Sequence, residues 1–155
     1  MTHCEPYVSQ YTSPIGPLWL LSDGEALTGL YFAPHPGRGG AALPLHRQAA
    51  AELTAYFQKE LRAFTLPICL EGTDFRKKVW QALTQIPYGE TITYGELAAR
   101  VGDAKASRAV GQANHFNPIS IIVPCHRVVG AGGKLTGYGG GIEKKIFLLQ
   151  LEGAR

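Results

Sequence analysis

The chain has 155 residues, of which 45% are hydrophobic and 17% are charged, a composition typical of a globular protein with its own core. The length predicts one domain or two small ones. Three cysteines without a C-x-x-C spacing argue against a disulfide framework or a zinc ribbon and indicate a reducing compartment. The N-terminus has no signal-peptide pattern, and no apolar stretch approaches the ~20 residues of a membrane span. We therefore expect a cytoplasmic protein that does not bind a membrane.

The net charge of +3 is unevenly distributed along the chain. Residues 1–72 carry four Lys and Arg against six Asp and Glu, whereas residues 73–155 carry eleven against six. The net charges of the two parts are therefore −2 and +5. A basic half is a weak indication of a polyanionic partner. A solvated surface without a partner is the commoner explanation of such a bias.

The first part of the chain is predicted to form strands. Two apolar runs, Pro17–Leu21 and Leu27–Phe32, flank an Asp23-Gly24 turn, which predicts a β-hairpin. Residues 34–45 are rich in Pro and Gly and predict a loop.

A helix and a last strand complete this half. Apolar residues recur at helical spacing over His46–Leu61, and Thr65–Leu70 is a plausible closing strand. Residues 1–72 are thus predicted to be a small antiparallel sheet with one covering helix. They hold no cluster of side chains that indicates chemistry.

Beyond a boundary near Glu71-Gly72 the chain is predicted to be mainly helical. Thr73 or Asp74 caps a helix that runs to about Gln85. We predict an α+β fold with two domains, residues 1–72 and residues 73–155.

The next two helices predict a helix-turn-helix. The first begins at the capping box Thr93-x-x-Glu96 and ends at Gly102. The second spans about Ala104–Asn114, and the pair resembles a helix-turn-helix unit, although many such pairs are packing units that never meet DNA. The second helix carries mostly small side chains, so it can approach the minor groove of DNA, which is about 6 Å wide. Arg108 could then reach into the base stack. Tight packing by small residues explains the same pattern. Its small and cationic residues are Ala104, Lys105, Ala106, Ser107, Arg108, Ala109, Gly111 and Ala113.

The last segment combines a glycine-rich loop with a helix. Glycines are concentrated in residues 130–133 and 137–141, and Gly137 and Gly139 flank Tyr138. Such a loop lets the backbone approach a ligand closely and predicts the wall of a pocket. The final helix is predicted over Ile142–Leu151, with Lys144 and Lys145 on its outer face.

The most informative motif is Pro124-Cys125-His126-Arg127 after an apolar run. The thiolate is the reactive form of cysteine, and neighbouring cationic or proton-accepting groups lower the thiol pKa. Cys125 is therefore a candidate nucleophile. Cys4 and Cys69 lack such neighbours and are expected to be inert.

Several separated motifs together resemble the O6-alkylguanine-DNA alkyltransferases, also called methylated-DNA–protein-cysteine methyltransferases. The resemblance covers about residues 73–153, whereas the first 72 residues resemble the family's variable N-terminal domain only in general layout. The motifs that carry it are Pro124–Val129, Ile92-Thr93-Tyr94-Gly95, Ser107–Gly111, Asn117-Pro118, Tyr138 before the glycines, and Glu152.

The resemblance implies a catalytic role for five residues. Cys125 would accept the alkyl group, His126 would take the thiol proton through a water, and Glu152 would orient His126. Tyr138 would donate to the guanine as it leaves, and Asn117 would hold the active-site turn.

The resemblance also implies contacts with substrate and DNA. Backbone carbonyls at Cys125 and Val128 would accept from the guanine amine, and Gly139 would offer only its N–H where many relatives carry Ser or another small residue. Tyr94 would rotate the target nucleotide outward while Arg108 fills the stack, which is base flipping from the minor groove. The expected DNA-contacting residues are Tyr94, Ala106, Ser107, Arg108, Ala109, Gly111 and Arg127.

The chemistry of the product sets the reaction class. An S-alkyl cysteine is a thioether with a poor leaving group, so the protein should react once and stay alkylated without a cofactor. The expected substrates are O6-alkylguanine and O4-alkylthymine in double-stranded DNA, and the expected state is a monomer.

Other interpretations remain open. A zinc site is not expected because His3, Cys4, His35, His46 and Cys69 form no clear set of four ligands. Non-catalytic sensors of alkylated DNA replace the cysteine that is present here. A helix-turn-helix regulator would need more base-reading side chains, and a cysteine hydrolase would need an oxyanion hole.

Overall fold

A computed structural model describes residues 5–155 of the chain. The chain divides into two compact units, one up to Cys69 and one from Leu70 onward. This division lies just before the boundary predicted near Glu71-Gly72. His3 and Cys4 lie outside the described residues.

The N-terminal unit contains a four-stranded sheet with the strand order β3-β2-β1-β4. The predicted hairpin is formed by β2 and β3, with Trp19 opposite Tyr31. Strand β1 pairs antiparallel with β2, and the two-residue β4 pairs parallel with β1 inside the predicted loop. The strands are β1 (Tyr7–Ser13), β2 (Gly16–Ser22), β3 (Leu27–Tyr31) and β4 (Arg38–Gly39).

The covering helix α1 spans Pro44–Phe57, so it begins earlier and ends earlier than predicted. Its proline lies in the first turn, where a missing N–H costs nothing. The predicted closing strand is reduced to a single bridge between Leu27 and Ile68. The N–H groups of Thr65 and Leu66 donate instead to the Glu52 carboxylate, at 2.7 and 3.3 Å.

One helix residue, His46, joins α1 to the sheet. Its side chain is buried, and its two ring nitrogens lie 2.6 Å from Ser9 Oγ and 2.7 Å from Ser22 Oγ. Burial lowers the pKa of His46, so the neutral imidazole is favoured.

The C-terminal unit contains four α-helices, of which the first two begin at a side-chain cap. The Thr73 side chain accepts from Arg76 N at the start of α2, and Thr93 and Glu96 form the predicted capping box of α3. Gly102 has a φ of +94°, as expected for the residue that ends α3. The helices are α2 (Asp74–Leu83), α3 (Tyr94–Arg100), α4 (Ser107–His115) and α5 (Ile142–Leu151).

Two short strands connect the helical elements. Strand β5 (Ile92–Thr93) pairs parallel with β6 (Val128–Val129), with Thr93 opposite Val129. Helix α3 starts directly after β5, and β6 directly follows a one-turn 3₁₀ helix at Cys125–Arg127. The pairing therefore brings the start of α3 next to the segment that carries Cys125.

Candidate active site

Cys125 lies at the start of the 3₁₀ helix and is buried, with 4% of its surface exposed. The turn before it is held by Asn117, whose Nδ2 donates to Val123 O at 2.7 Å. The Oδ1 of Asn117 accepts from Ile119 N at 3.0 Å. Because both ends of the amide are engaged within one turn, Asn117 fixes the backbone that presents the thiol.

The same turn contains an unusual backbone conformation. Ile121 has a φ of +72° and is buried. A β-branched residue in the left-handed region costs about 1–3 kcal/mol, and such strain concentrates at functional sites. The backbone just before Cys125 is thus held by its surroundings in a form that its own sequence disfavours.

The pKa of the Cys125 thiol differs from the lowered pKa that the sequence motif predicted. Burial raises the pKa of the Cys125 thiol, and a hydrogen bond from the Asn117 side chain and the positive charge of Lys145 act in the opposite direction. The thiol pKa is thus raised where the motif predicted a lowered one, and His126 and Arg127, which both bind Glu152, are not among the groups that oppose this shift.

His126 and Glu152 form a buried pair. His126 Nε2 lies 2.7 Å from Glu152 Oε2, and both side chains are fully buried. Burial lowers the pKa of His126, and the hydrogen bond and negative charge of Glu152 oppose that shift. A carboxylate only accepts hydrogen bonds, so Nε2 carries the hydrogen and Nδ1 keeps a lone pair. His126 Nδ1 is buried and has no hydrogen-bond partner among residues 5–155, so it can act as a base.

Arg127 was predicted to contact DNA, and the structure contradicts this. Its side chain is buried, and its Nε and Nη2 donate to the two oxygens of Glu152 at 2.8 and 3.0 Å. Its Nη1 donates to Ile86 O at 2.7 Å. With its donors engaged inside the protein, Arg127 stabilises the Glu152 carboxylate that orients His126.

Lys145 was predicted on the outer face of the last helix, and this was also wrong. Its side chain has 0% exposure. Lys145 precedes Leu148 and Leu149 by three and four residues, so it shares their face of α5, and both leucines are buried. Lys144 is half-buried.

A cavity of about 470 Å³ reaches this centre through Asn114, and Cys125 itself is not among the residues that line it. Across it, the hydroxyls of Tyr94 and Thr136 are hydrogen-bonded at 2.6 Å. Asn114, which sequence reasoning missed, lines the cavity and donates from Nδ2 to Cys125 O at 3.4 Å. The lining residues are Tyr94, Ser107, Arg108, Gly111, Asn114, His115, Thr136 and Gly137.

The predicted DNA-contacting residues of α4 are partly gathered at this cavity. Arg108 and Ala109 are exposed, and Ala106 is the N-cap residue that precedes the helix. A Cβ added to Gly111 would lie 3.8 Å from the Tyr94 ring. The surface of α4, with its small side chains and Arg108, therefore borders the same cavity as Tyr94.

Of the remaining predicted substrate residues, Val128 lies in β6 before the glycine-rich loop, and Tyr138 and Gly139 lie within the loop. Tyr138 and Val128 are buried. Gly139 is exposed, and a Cβ added there would meet no atom within 4 Å. A serine would fit at this position without a clash.

Within residues 5–155, no helix is long and apolar enough to cross a membrane. No group of three or more His, Cys, Asp or Glu side chains in this part of the chain is arranged to hold a metal ion.

Two protein-family models match the chain. The model described as 6-O-methylguanine DNA methyltransferase, DNA binding domain, matches residues 74–154, which contain the whole Cys125 centre. The model described as 6-O-methylguanine DNA methyltransferase, ribonuclease-like domain, matches residues 7–70.

Curated proteins and solved structures agree with the family models. The chain is 51% identical to the methylated-DNA--protein-cysteine methyltransferase of Methanosarcina acetivorans, over 96% of this chain and 99% of that protein. It is 50% identical to that of Mycobacterium bovis, over 92% and 90%. The crystal structure of Mycobacterium tuberculosis OGT in complex with DNA is similar with a TM-score of 0.85 and 49% identity, over 96% of this chain and 93% of that one.

A buried cysteine followed by a histidine–glutamate pair, in a fold shared with these relatives, is typical of a cysteine-based group-transfer protein. The chain belongs to the 6-O-methylguanine DNA methyltransferase family.

Proposed function

We propose that this protein repairs alkylated DNA by direct reversal, transferring the alkyl group from O6-alkylguanine irreversibly to its own Cys125. The relatives at about half identity over most of the chain are named for this reaction. The observation that carries the assignment to these residues is the buried contact of 2.7 Å between His126 Nε2 and Glu152 Oε2, next to Cys125 in the chain.

The proposed reaction uses the lone pair on His126 Nδ1. Glu152 keeps the hydrogen on Nε2, so Nδ1 accepts the thiol proton of Cys125, directly or through a water. The thiolate sulfur then forms a bond to the alkyl carbon, and the carbon–oxygen bond breaks with its electron pair going to the guanine. The guanine takes up the proton, and Tyr138 donates to the base as its negative charge develops.

The proposed partner is double-stranded DNA, from which the damaged nucleotide is extruded. The relative from Mycobacterium tuberculosis has been solved with DNA. Tyr94 and Arg108 both line the cavity here, which supports a base entering while Arg108 fills the vacated stack. Unstacking costs a few kcal/mol, and a damaged pair lowers that cost. Tyr94 Oη must release Thr136 to contact the nucleotide.

The remaining contacts and substrates follow from the same site. We infer that Val128 and Cys125 carbonyls accept from the guanine amine and that the exposed Gly139 contributes its N–H. Ser107, Ala109 and Gly111 face the DNA backbone. O4-alkylthymine is a second expected substrate, the protein acts as a monomer, and the thioether product makes it react once.

The alternative roles are not favoured. A non-catalytic sensor or a helix-turn-helix regulator has no use for a buried cysteine with an oriented base beside it. Their signature would be DNA binding with no change in the protein's mass.

The experiment is transfer of a tritium-labelled methyl group from duplex DNA containing O6-methylguanine. The wild-type protein and the control Cys69→Ser should both become labelled, since Cys69 has no part in the site. Cys125→Ser should transfer at least ~10⁴-fold more slowly. Labelling of Cys125→Ser at the wild-type rate would overturn the assignment.

A further inference from the structure

Lys145 is a buried cation that the proposed reaction does not use. Its side chain has 0% exposure, and its Nζ has no hydrogen-bond partner among residues 5–155. An ammonium group that leaves water without a partner either loses its proton or requires a nearby anion. The burial of Lys145 therefore requires an explanation.

The surroundings of Lys145 leave one group that can supply this anion. Helix α5 packs against the 3₁₀ helix that carries Cys125. The other ionisable groups of that segment are His126, which burial keeps neutral, and Arg127, which is a cation. The oxygens of Glu152 are taken by His126 and Arg127.

Helix α2 adds no competing anion to the buried space around this segment. Helix α2 also packs against the 3₁₀ helix, but its buried residues are Val79, Trp80 and Leu83. Its charged residues, Asp74, Arg76, Lys77 and Lys78, are half-buried or exposed, and Lys144 of α5 is a cation. Cys125 remains as the group that can become negative.

The interaction of the two groups is mutual. Burial raises the pKa of Cys125 and lowers the pKa of Lys145, and it is the largest influence on both groups. The charge of Lys145 opposes the shift of Cys125, and the charge of Cys125 opposes the shift of Lys145. Each charged form is thus stabilised by the other.

We propose that Lys145 is a positioning residue for the alkyl transfer, providing the buried positive charge that faces the Cys125 thiolate. This inference rests on the proposed function of Cys125 as the nucleophile. His126 remains the route for the thiol proton, which passes from Cys125 to His126 and then to the departing guanine. Lys145 keeps its own proton while the carbon–sulfur bond forms and the carbon–oxygen bond breaks, and nothing is oxidised or reduced.

The test measures the thiol pKa without DNA. Cys125 is alkylated with iodoacetamide over a range of pH, and the rate is followed on its own peptide by mass spectrometry, so that the other cysteines do not interfere. Lys145→Met removes the charge at nearly constant volume. Lys144→Met removes the same charge one residue away and serves as the matched control.

We expect Lys145→Met to raise the apparent pKa of Cys125 by at least one unit, with about tenfold slower alkylation at neutral pH that recovers at high pH. Lys144→Met should match the wild type. An unchanged pKa in Lys145→Met, or a rate lowered by the same factor at every pH, would overturn the proposal, because a merely structural role slows the reaction without moving the profile.

A second variant is tested in case Lys145→Met does not fold. Lys145→Gln keeps hydrogen-bond donors without the charge and should raise the pKa in the same way; a wild-type profile would contradict the role of the charge. If neither variant folds, the salt dependence of the Cys125 pKa in the wild type replaces them as the test. A buried charge pair is screened little by salt, so this pKa should not change with salt concentration. A pKa that rises with salt would assign the effect to exposed charges.

The outcomes separate this inference from the proposed function. A pKa shift in Lys145→Met together with no methyl transfer from DNA in the wild type would overturn the repair function alone. Methyl transfer by the wild type with no pKa shift in Lys145→Met would overturn the role of Lys145 alone.

Discussion

Each of the two units buries a histidine, and the two histidines have opposite surroundings. In the N-terminal unit, both ring nitrogens of His46 are hydrogen-bonded to serine hydroxyls. In the C-terminal unit, His126 binds the Glu152 carboxylate with Nε2 and leaves Nδ1 without a partner among the described residues. Burial lowers the pKa of both imidazoles.

The comparison shows that burial alone does not make a histidine reactive. Neutral serine hydroxyls occupy both ring nitrogens of His46, so this side chain can only hold helix α1 to the sheet. A carboxylate that accepts at one nitrogen fixes the tautomer of His126 and exposes a lone pair at the other. Two features distinguish His126 from the packing contact of His46. One is the Glu152 carboxylate that orients the ring, and the other is the ring nitrogen Nδ1 that has no partner among the described residues.

The largest expected effect comes from breaking the partner of His126. Glu152→Gln removes the charge that orients His126 and leaves Arg127 buried without its anion. We expect methyl transfer to slow by ~10²-fold or more and the free energy of unfolding to fall by about 3–5 kcal/mol. Single-turnover transfer at a temperature where the variant is folded, together with urea unfolding, measures both.

The matched change in the other unit is Ser22→Ala, which removes one partner of His46. It should lower the free energy of unfolding by about 1–3 kcal/mol and leave the transfer rate unchanged. Equal slowing of transfer in both variants would mean that the effect of Glu152→Gln is general destabilisation.

A smaller effect is expected from the arginines on the helix surfaces of the two units. Arg108 of α4 lines the cavity, whereas Arg47 of α1 is exposed in the N-terminal unit. Because filling the vacated stack offsets a few kcal/mol of unstacking, Arg108→Ala should slow repair of duplex DNA by ~10-fold or more. Reaction with free O6-methylguanine base should be unchanged, and Arg47→Ala should alter neither. Equal losses on duplex and free base would contradict the stacking role.

The smallest effect is the dependence of stability on pH. The folded-state pKa of His46 and of His126 lies below the unfolded value of 6.5, so the unfolded chain binds more protons. Their contribution to stability is complete above pH 6.5 and is lost as the pH falls through the folded-state pKa, by up to about 1.4 kcal/mol per pH unit for each histidine.

Urea unfolding at pH 7.5 and 5.5 measures this loss. His46→Leu should reduce the difference between the two pH values, because one of the two histidines no longer titrates. Equal stability of the wild type at both pH values would show that the two imidazoles are not held neutral.

The sequence predicted the features that depend on neighbours along the chain. The capping box of Thr93 and Glu96 and the glycine that ends α3 were found as expected. The motif around Cys125 indicated a candidate nucleophile, and the resemblance to a family pointed to the distant Glu152, which lies 2.7 Å from His126. These signals are local or repeated across several motifs.

The features that depend on tertiary contacts were missed. The positive charges of Arg127 and Lys145 indicated solvent or DNA. Only the fold shows that Arg127 pairs with Glu152 and that Lys145 is buried on a helix packed against the Cys125 segment. The spacing of three and four residues from Lys145 to Leu148 and Leu149 indicated the buried face of α5, but the charge of Lys145 favoured an exposed position. Asn114 gave no signal, because its contact with Cys125 O joins two segments that meet only in the fold.

The most direct test of the account is the position and amount of methyl after reaction with excess O6-methylguanine duplex DNA. Peptide mass mapping over time should find one methyl group per chain, on Cys125, with no further substrate consumed. Methyl on another residue, or consumption of more than one equivalent of lesion by an unmodified protein, would contradict irreversible transfer to this thiolate.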